Sequence, residues 1–397
     1  MIPKLKPCFN HRELLASFRF AHQAIPEFEE NFAIAANARY ALAFPYGRSC
    51  LYAFLKALDL KGEVIMPAYS CVVVANAIAM AGNVPAFADC DKGSFLMDLE
   101  KAGQKVTKQT KAIVPTSLFG YPVNIGQIKE FQEKGIYVMQ DNALAYRAEW
   151  KGKPVAGAGD AALYSMGIGK QLSTITGGML TTDNEDIYEK VRQFRDRAFF
   201  NYTLGTVKKY LYFYAQFAAL SNPGYSLTYW LWKNNIIRPF TQYFKPDTID
   251  LPKDFDSFYS SFQANLGLEQ LKKLPEIIEK RKAIAAFYHR QLQGLKNISL
   301  PPHEDGATYS HFVPRVKNRP FFIEAMAKRG IHVGHHFEYV IPKLNPFAER
   351  FPSSCKGPFP SASASAEQVV NIPNFPSLTK SQQHYIVEQV RAVDALM

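Results

Sequence analysis

Between about residues 47 and 182, short apolar runs alternate with helix-like stretches. Glu63-Val64-Ile65-Met66 reads as a strand, and the small-residue stretch from Val72 to Ala81 as a helix. Val84 to Ala88, Ala112 to Pro115, Gly135 to Met139, Ala161 to Ser165 and Met179 to Thr182 supply further strands, with a helix over Ile125 to Glu133. Apolar runs of this kind suit strands buried on both faces. Strands interleaved with helices predict an α/β fold built on a mainly parallel sheet covered by helices. In such sheets ligands gather where strands end and loops begin.

The pattern breaks over residues 199–246. Lys208, Lys209, Lys233, Arg238 and Lys245 occur there without a single Asp or Glu. Aromatics crowd the same segment, among them Phe199, Tyr210, Phe213, Tyr214, Tyr229, Trp230 and Trp232. Aromatics interleaved with lysines suit a peripheral element touching an anionic membrane. An insertion buried against a partner chain has the same composition. A long helical stretch begins near Ser261, followed by a smaller α+β unit with a strand at Phe312 to Val316. Helices are predicted over Asn318 to Gly330 and Ser381 to Ala395. The division is therefore a large domain over 1–260, carrying the aromatic and basic insertion, and a small C-terminal domain over 261–397.

Composition narrows the functional classes. The 397 residues are 47% hydrophobic, enough for a sizeable core, and no apolar run is long enough for a spanning helix. A net charge of +11 favours anionic partners, such as phosphorylated small molecules or anionic lipid surfaces. Nucleic acid ranks last, because the lysines are scattered and no nucleic-acid-binding signature occurs. Five widely spaced cysteines form no CxxC pair, the usage of a reducing compartment without structural zinc. The opening Met-Ile-Pro-Lys-Leu-Lys-Pro lacks a secretory apolar stretch, so a cytoplasmic location is expected.

Three features then occur in a chemically useful order. Tyr46-Gly47-Arg48-Ser49 is a glycine turn opening an apolar-periodic helix, whose free N–H groups would suit a phosphate. Asp141 follows a buried strand, where a carboxylate faces the ligand crevice or caps the next helix. Lys170 closes Ser165-Met166-Gly167-Ile168-Gly169-Lys170. An amine among small and apolar residues is partly desolvated, loses basicity and can condense with an aldehyde. Ser165 could reach a phosphate, and Gly177-Gly178 tightens the turn into the next strand. Each feature alone is ordinary; the order and spacing are not.

With these residues in place the chain resembles the DegT/DnrJ/StrS-type nucleotide-sugar aminotransferases, which are pyridoxal-phosphate enzymes of fold type I, over nearly its whole length. The likeness rests on Ile25 to Glu30, Gly47 to Ser49, Glu63 to Ser70, Ala112 to Pro122, Asp141 to Ala143, Ser165 to Lys170, Gln263 to Leu274, Gly334 to Phe337 and Ile372 to Asn374. It implies that Lys170 carries pyridoxal 5′-phosphate as a Schiff base and that Asp141 pairs with the ring nitrogen. It also implies that Ser165 binds the phosphate together with the amides near Arg48 and Ser49. The implied activity moves an amino group from a donor such as glutamate to a nucleotide-linked keto-sugar, in a homodimer, with a polysaccharide pathway as a fitting context.

Departures from the family pattern loosen the substrate. Cys71 stands where an aromatic usually stacks on the cofactor, leaving its sulfur or Tyr69 for that role. Leu144 replaces a glutamine, Asp256 falls near an asparagine usually lent by the partner chain, and His336 matches a substrate-side histidine. Arg48 and Arg315 are candidates for the donor carboxylate. A dehydratase, a lyase, a non-sugar aminotransferase or a regulatory cofactor-binding protein are the alternatives. Dehydrating relatives carry histidine in place of the lysine, so Lys170 favours transamination.

Overall fold

The computed structural model describes residues 1–19, 23–219, 222–237 and 247–397. Its centre is a seven-stranded sheet of β1 (Tyr40–Phe44), β2 (Glu63–Pro67), β3 (Val84–Ala88), β4 (Thr110–Ile113), β5 (Tyr137–Asp141), β8 (Ala161–Ser165) and β9 (Gly178–Thr182); β6 (Glu149–Trp150) and β7 (Lys153–Pro154) form a separate small hairpin. The strand order is β1-β9-β8-β5-β4-β2-β3. Every pairing from β8 through β5, β4 and β2 to β3 is parallel. β9 alone is reversed, antiparallel to both β1 and β8. The mainly parallel expectation holds, and helices cover the sheet as anticipated. The reversal of β9 is invisible in a hydrophobic run, which carries no direction.

Local departures have local causes. The fifth strand runs two residues later than its apolar run suggests, because Gly135 takes a left-handed turn (φ 73°). Asp141 is thereby the last residue of β5 rather than a loop residue. The strand expected over Phe312 to Val316 shrinks to Arg315–Val316 with isolated bridges at Phe312 and Arg315. Pro314 accepts a bond from Val370 through its carbonyl, and it has no N–H to return.

Helices α3 (Gly47–Ala57) and α4 (Val72–Met80) follow β1 and β2, and both start at the strand-end edge of the sheet. The long helix Ser261–Gln291 starts where predicted, with the Ser260 side chain accepting from the Gln263 N–H. Its Gly267 lies against Phe28, where an added Cβ would come within 2.4 Å of the ring. That close approach packs the long helix on Ala24–Ala36.

The segment of aromatics and lysines is helical in its described part, forming α8 (Thr203–Ala219) and α9 (Asn222–Lys233). Arg238 and Lys245 lie outside the described residues. Phe213 packs on Phe9 at 5.3 Å and Phe262 at 5.8 Å, while Tyr214 shares a hydrogen bond with Ser17. The N-terminal residues form a strap beneath these helices. Ile2 bridges to Ile331 and accepts from His332, and Cys8 accepts from Gln270 and Lys273. No helix among the described residues is long and apolar enough to cross a membrane.

Candidate active site

The sheet register brings the predicted residues together. Asp141 at the end of β5 pairs with Leu163 of β8, and Asn142 N–H donates to the Leu163 carbonyl. Ser165 ends β8 two residues further along, on the same edge. Lys170 follows through a compact turn, its N–H donating to the Gly167 carbonyl. Gly169 adopts φ 144°, a conformation open to glycine, and the side chain of Leu5 lies 3.5 Å from where its Cβ would stand.

The start of α3 is seated against the same edge. Gly178 of β9 pairs with both Phe44 and Ser165. A Cβ on Gly178 would stand 2.3 Å from the Tyr46 carbonyl, so only glycine admits this approach. Gly47 in turn comes so near Ser165 that its Cβ would lie 3.1 Å from the serine Cβ. A serine and a helix start far apart in sequence thus form one cradle.

Burial and charge set the ionisation of the two central groups. Asp141 is 3% exposed, and burial pushes its pKa up. The Ala143 N–H, which donates to it at 3.0 Å, the Lys170 charge and the Thr116 hydroxyl pull it back. Burial pushes the Lys170 amine down, Cys71 and Asp141 push it up, and Arg48 pushes it down. Cys71, Asp141 and Arg48 therefore all lie within electrostatic reach of one amine. His311 and His336 share this environment, with rings 4.2 Å apart. Burial, aided by Lys170, depresses both, His336 to about 3.

Some candidates are directed elsewhere. The Ser49 hydroxyl donates to the Phe255 carbonyl and its N–H to Tyr46, so its polar groups are engaged within the chain. Arg48 is buried, with its guanidinium 5.4 Å from the Tyr46 ring centre. Cys71 is the residue preceding α4. Tyr69 is fully buried against Phe337 and Phe119. Arg315 lies over the Phe95 ring at 4.3 Å and reaches Ser365. Leu144 is core. Asp256 accepts the Phe200 N–H through its backbone, and it is Asp254 whose carboxylate takes the Tyr46 hydroxyl and the Lys209 ammonium.

Three residues near the centre escaped the sequence reading. Thr116 bridges Asp141 from the end of β4, and His311 packs on His336. Lys4 acts electrostatically on both histidines from the N-terminal strap. No local motif marks any of them; they are assembled by tertiary packing.

Fold and site together define a class: a pyridoxal 5′-phosphate enzyme of fold type I. The chain belongs to the DegT/DnrJ/EryC1/StrS aminotransferase family, whose sequence pattern matches residues 12–212 and 257–391. The spore coat polysaccharide biosynthesis protein SpsC of Bacillus subtilis is 27% identical, over 93% of this chain and 89% of its own. GDP-perosamine synthase of Escherichia coli O157:H7 is 25% identical, over 92% and 89%. Helicobacter pylori PseC, an aminotransferase involved in pseudoaminic acid biosynthesis, superposes with a TM-score of 0.78 at 20% identity, over 98% of each chain. The unmatched residues 213–256 hold most of the aromatic and basic segment.

The residues present fit the cofactor. A Cβ on Gly167 would find the Ser165 hydroxyl as its nearest neighbour, at 4.0 Å, which leaves room for a phosphate beside that hydroxyl. The buried Asp141 carboxylate suits a ring N–H, and Lys170 is an amine of reduced basicity. Among the described residues no cluster of His, Cys, Asp and Glu could hold a metal ion.

Proposed function

We propose that the chain transfers an amino group from glutamate to the keto carbon of a nucleotide-linked sugar, with Lys170, Asp141 and Ser165 in the roles the family pattern implies. The observation that carries this reading is the shared strand-end edge on which Asp141, Ser165 and the start of α3 meet beside Lys170. The names of SpsC and GDP-perosamine synthase support a sugar acceptor for this chain as well.

Bound here, pyridoxal phosphate supplies an electron sink for the substrate carbon. Lys170 would be the residue that holds it, through its side-chain amine. The Lys170 amine, its basicity lowered by burial, would take the proton from the donor carbon and carry it. Asp141 keeps the facing ring nitrogen protonated, since a buried carboxylate favours a cation beside it. Ser165 would donate to the phosphate, the amides at the start of α3 near Arg48 would complete its cradle, and Cys71 would pack by sulfur near the ring. The 1–260 domain provides these groups, and the 261–397 domain brings His311 and His336 within electrostatic reach of Lys170.

An absorbance spectrum before and after glutamate tests the reading. The band near the visible edge should shift to that of the aminated cofactor. A spectrum unmoved by glutamate or any other amino acid would exclude transamination.

We further propose a cytoplasmic homodimer that touches an anionic membrane through α8 and α9. Leu204, Val207 and Leu211 form an exposed stripe on α8, and Leu227 and Trp230 are exposed on α9. Lys208 and Lys233 stand exposed on the same two helices. Flotation with anionic liposomes, compared with a variant lacking the segment, decides this; equal flotation of both proteins would defeat it.

A further inference from the structure

We infer that Lys4 holds the carboxylate of the amino donor, in a subsite completed by Nε2 of His336. This inference rests on the transamination reading. Two bonds hold the strap at Lys4: the Ile2 carbonyl accepts from the His332 N–H, and the Lys4 carbonyl accepts from the Asn371 side-chain amide. The Lys4 side chain runs along Gly334, so closely that a Cβ there would lie 3.0 Å from the lysine Cδ. Its neighbour Leu5 meets Gly169, the residue before Lys170. Lys4 is thereby bracketed by the turn leading to His336 and by the loop carrying the reactive amine.

The surroundings call for an anion. Trp232 of α9 covers the ammonium at 5.8 Å, and no Asp or Glu among the described residues pairs with it. The groups that share its field, His311, His332 and His336, are imidazoles, with Lys170 acting on two of them. His336 Nε2 is buried without a hydrogen-bond partner. A half-buried ammonium within electrostatic reach of an unsatisfied buried ring nitrogen leaves room for an oxyanion to satisfy both. Burial lowers the pKa of Lys4, and a carboxylate beside it would favour the charged form.

Donor geometry selects which oxyanion. An amino acid's α-carboxylate is bonded to the carbon whose proton Lys170 moves, so its binding cation must stand near Lys170 without being Lys170. Arg315 is held over Phe95 and directed to Ser365. Arg48, which also acts on Lys170, has its guanidinium packed at the Tyr46 ring, whereas Lys4 acts on the same two histidines as Lys170 from the N-terminal strap.

The test uses the holoenzyme with Lys4→Met and Lys4→Arg variants, each first checked for an unchanged visible band and melting temperature. Calorimetric titration with glutarate, a dicarboxylate that cannot react, reads binding alone. Stopped-flow spectra with glutamate read the donor half-reaction. Loss of one charge-assisted contact predicts roughly 10- to 100-fold weaker glutarate binding in Lys4→Met. The glutamate concentration at half-maximal rate should rise by a similar factor with little change in limiting rate, and Lys4→Arg should recover most of the loss. Unchanged glutarate affinity in Lys4→Met overturns the inference. So does a loss confined to pyrophosphate titration, which would assign Lys4 to the acceptor's phosphates. If the wild-type protein binds glutarate but shows no spectral change with any amino acid, transamination fails independently of Lys4.

Discussion

Asp141 and Lys170 each oppose the effect of burial on the other: the carboxylate raises the basicity of the amine, and the ammonium holds the acid down. Neither attraction overcomes desolvation, so the amine remains less basic and the acid less acidic than in water. A cofactor spanning the two groups would find a ready nucleophile at one end and a proton-sharing acid at the other. Lys170→Ala should therefore lose turnover by about 10²–10⁴-fold or more and lose the absorbance of the lysine–cofactor link. Retention of that band in the variant would remove Lys170 from its role.

Asp141→Ala keeps the lysine but removes the ring's anionic partner. It should still bind cofactor, with the donor half-reaction slowed by about 10²-fold or more, measured by stopped-flow absorbance. Wild-type rates would rule out the pairing.

The insertion is fastened to the cradle through Asp254, which accepts from the Tyr46 hydroxyl at 2.8 Å and lies 3.5 Å from Lys209 of α8. Removing the acid strands two donors, whereas removing the amine leaves Asp254 still bound by Tyr46. Asp254→Ala should thus lower stability by about 3 kcal/mol, and Lys209→Met by only about 1 kcal/mol. Denaturant unfolding of both variants checks the ranking, and the reverse order would contradict it.

Gly178→Ala would drive a methyl group into backbone that cannot yield, the Tyr46 carbonyl and the Gly47 nitrogen. A stability loss of about 3 kcal/mol is expected, together with loss of cofactor occupancy, because the start of α3 must move. A thermal melt and a cofactor assay on the same sample would expose an error here.

Acid should loosen the roof of the site. Burial, with the charges of Lys4 and His335, lowers the pKa of His332 to about 3, and its Nδ1 shares a 2.7 Å hydrogen bond with the Tyr225 hydroxyl of α9. An unfolded imidazole titrates near ~6.5, so below that pH the unfolded chain binds a proton that the folded chain refuses. The histidine's contribution is complete above about pH 6.5 and is lost as pH falls toward 3. Melting temperatures from pH 7 to pH 4 should fall, and His332→Asn should flatten that decline despite a lower starting value. A parallel decline in wild type and variant would show that His332 is not responsible.

Much of the sheet could be read from its apolar runs, because strands buried on both faces leave no polar interruption. The boundaries of β8 at Ala161 and Ser165 follow the sequence expectation, as does the long helix from Ser261. Lys170, Asp141 and Ser165 stood out through their glycine and strand context. Thr116, His311 and Lys4 did not, because each reaches the centre through packing between distant segments. The Ser49 hydroxyl shows the converse: its motif suggests a phosphate, yet the fold turns it to Phe255. The direction of β9 and the burial of Tyr69 likewise depend on neighbours that no local pattern names.

Tyr225, bonded to His332, and Trp232, over Lys4, lie in a stretch that the family pattern leaves out, whereas Asp141, Ser165 and Lys170 lie within the matched residues. Exchanging α9 would thus change the surroundings of Lys4 and His332 while leaving the strand-end edge of Asp141 and Ser165 as it is.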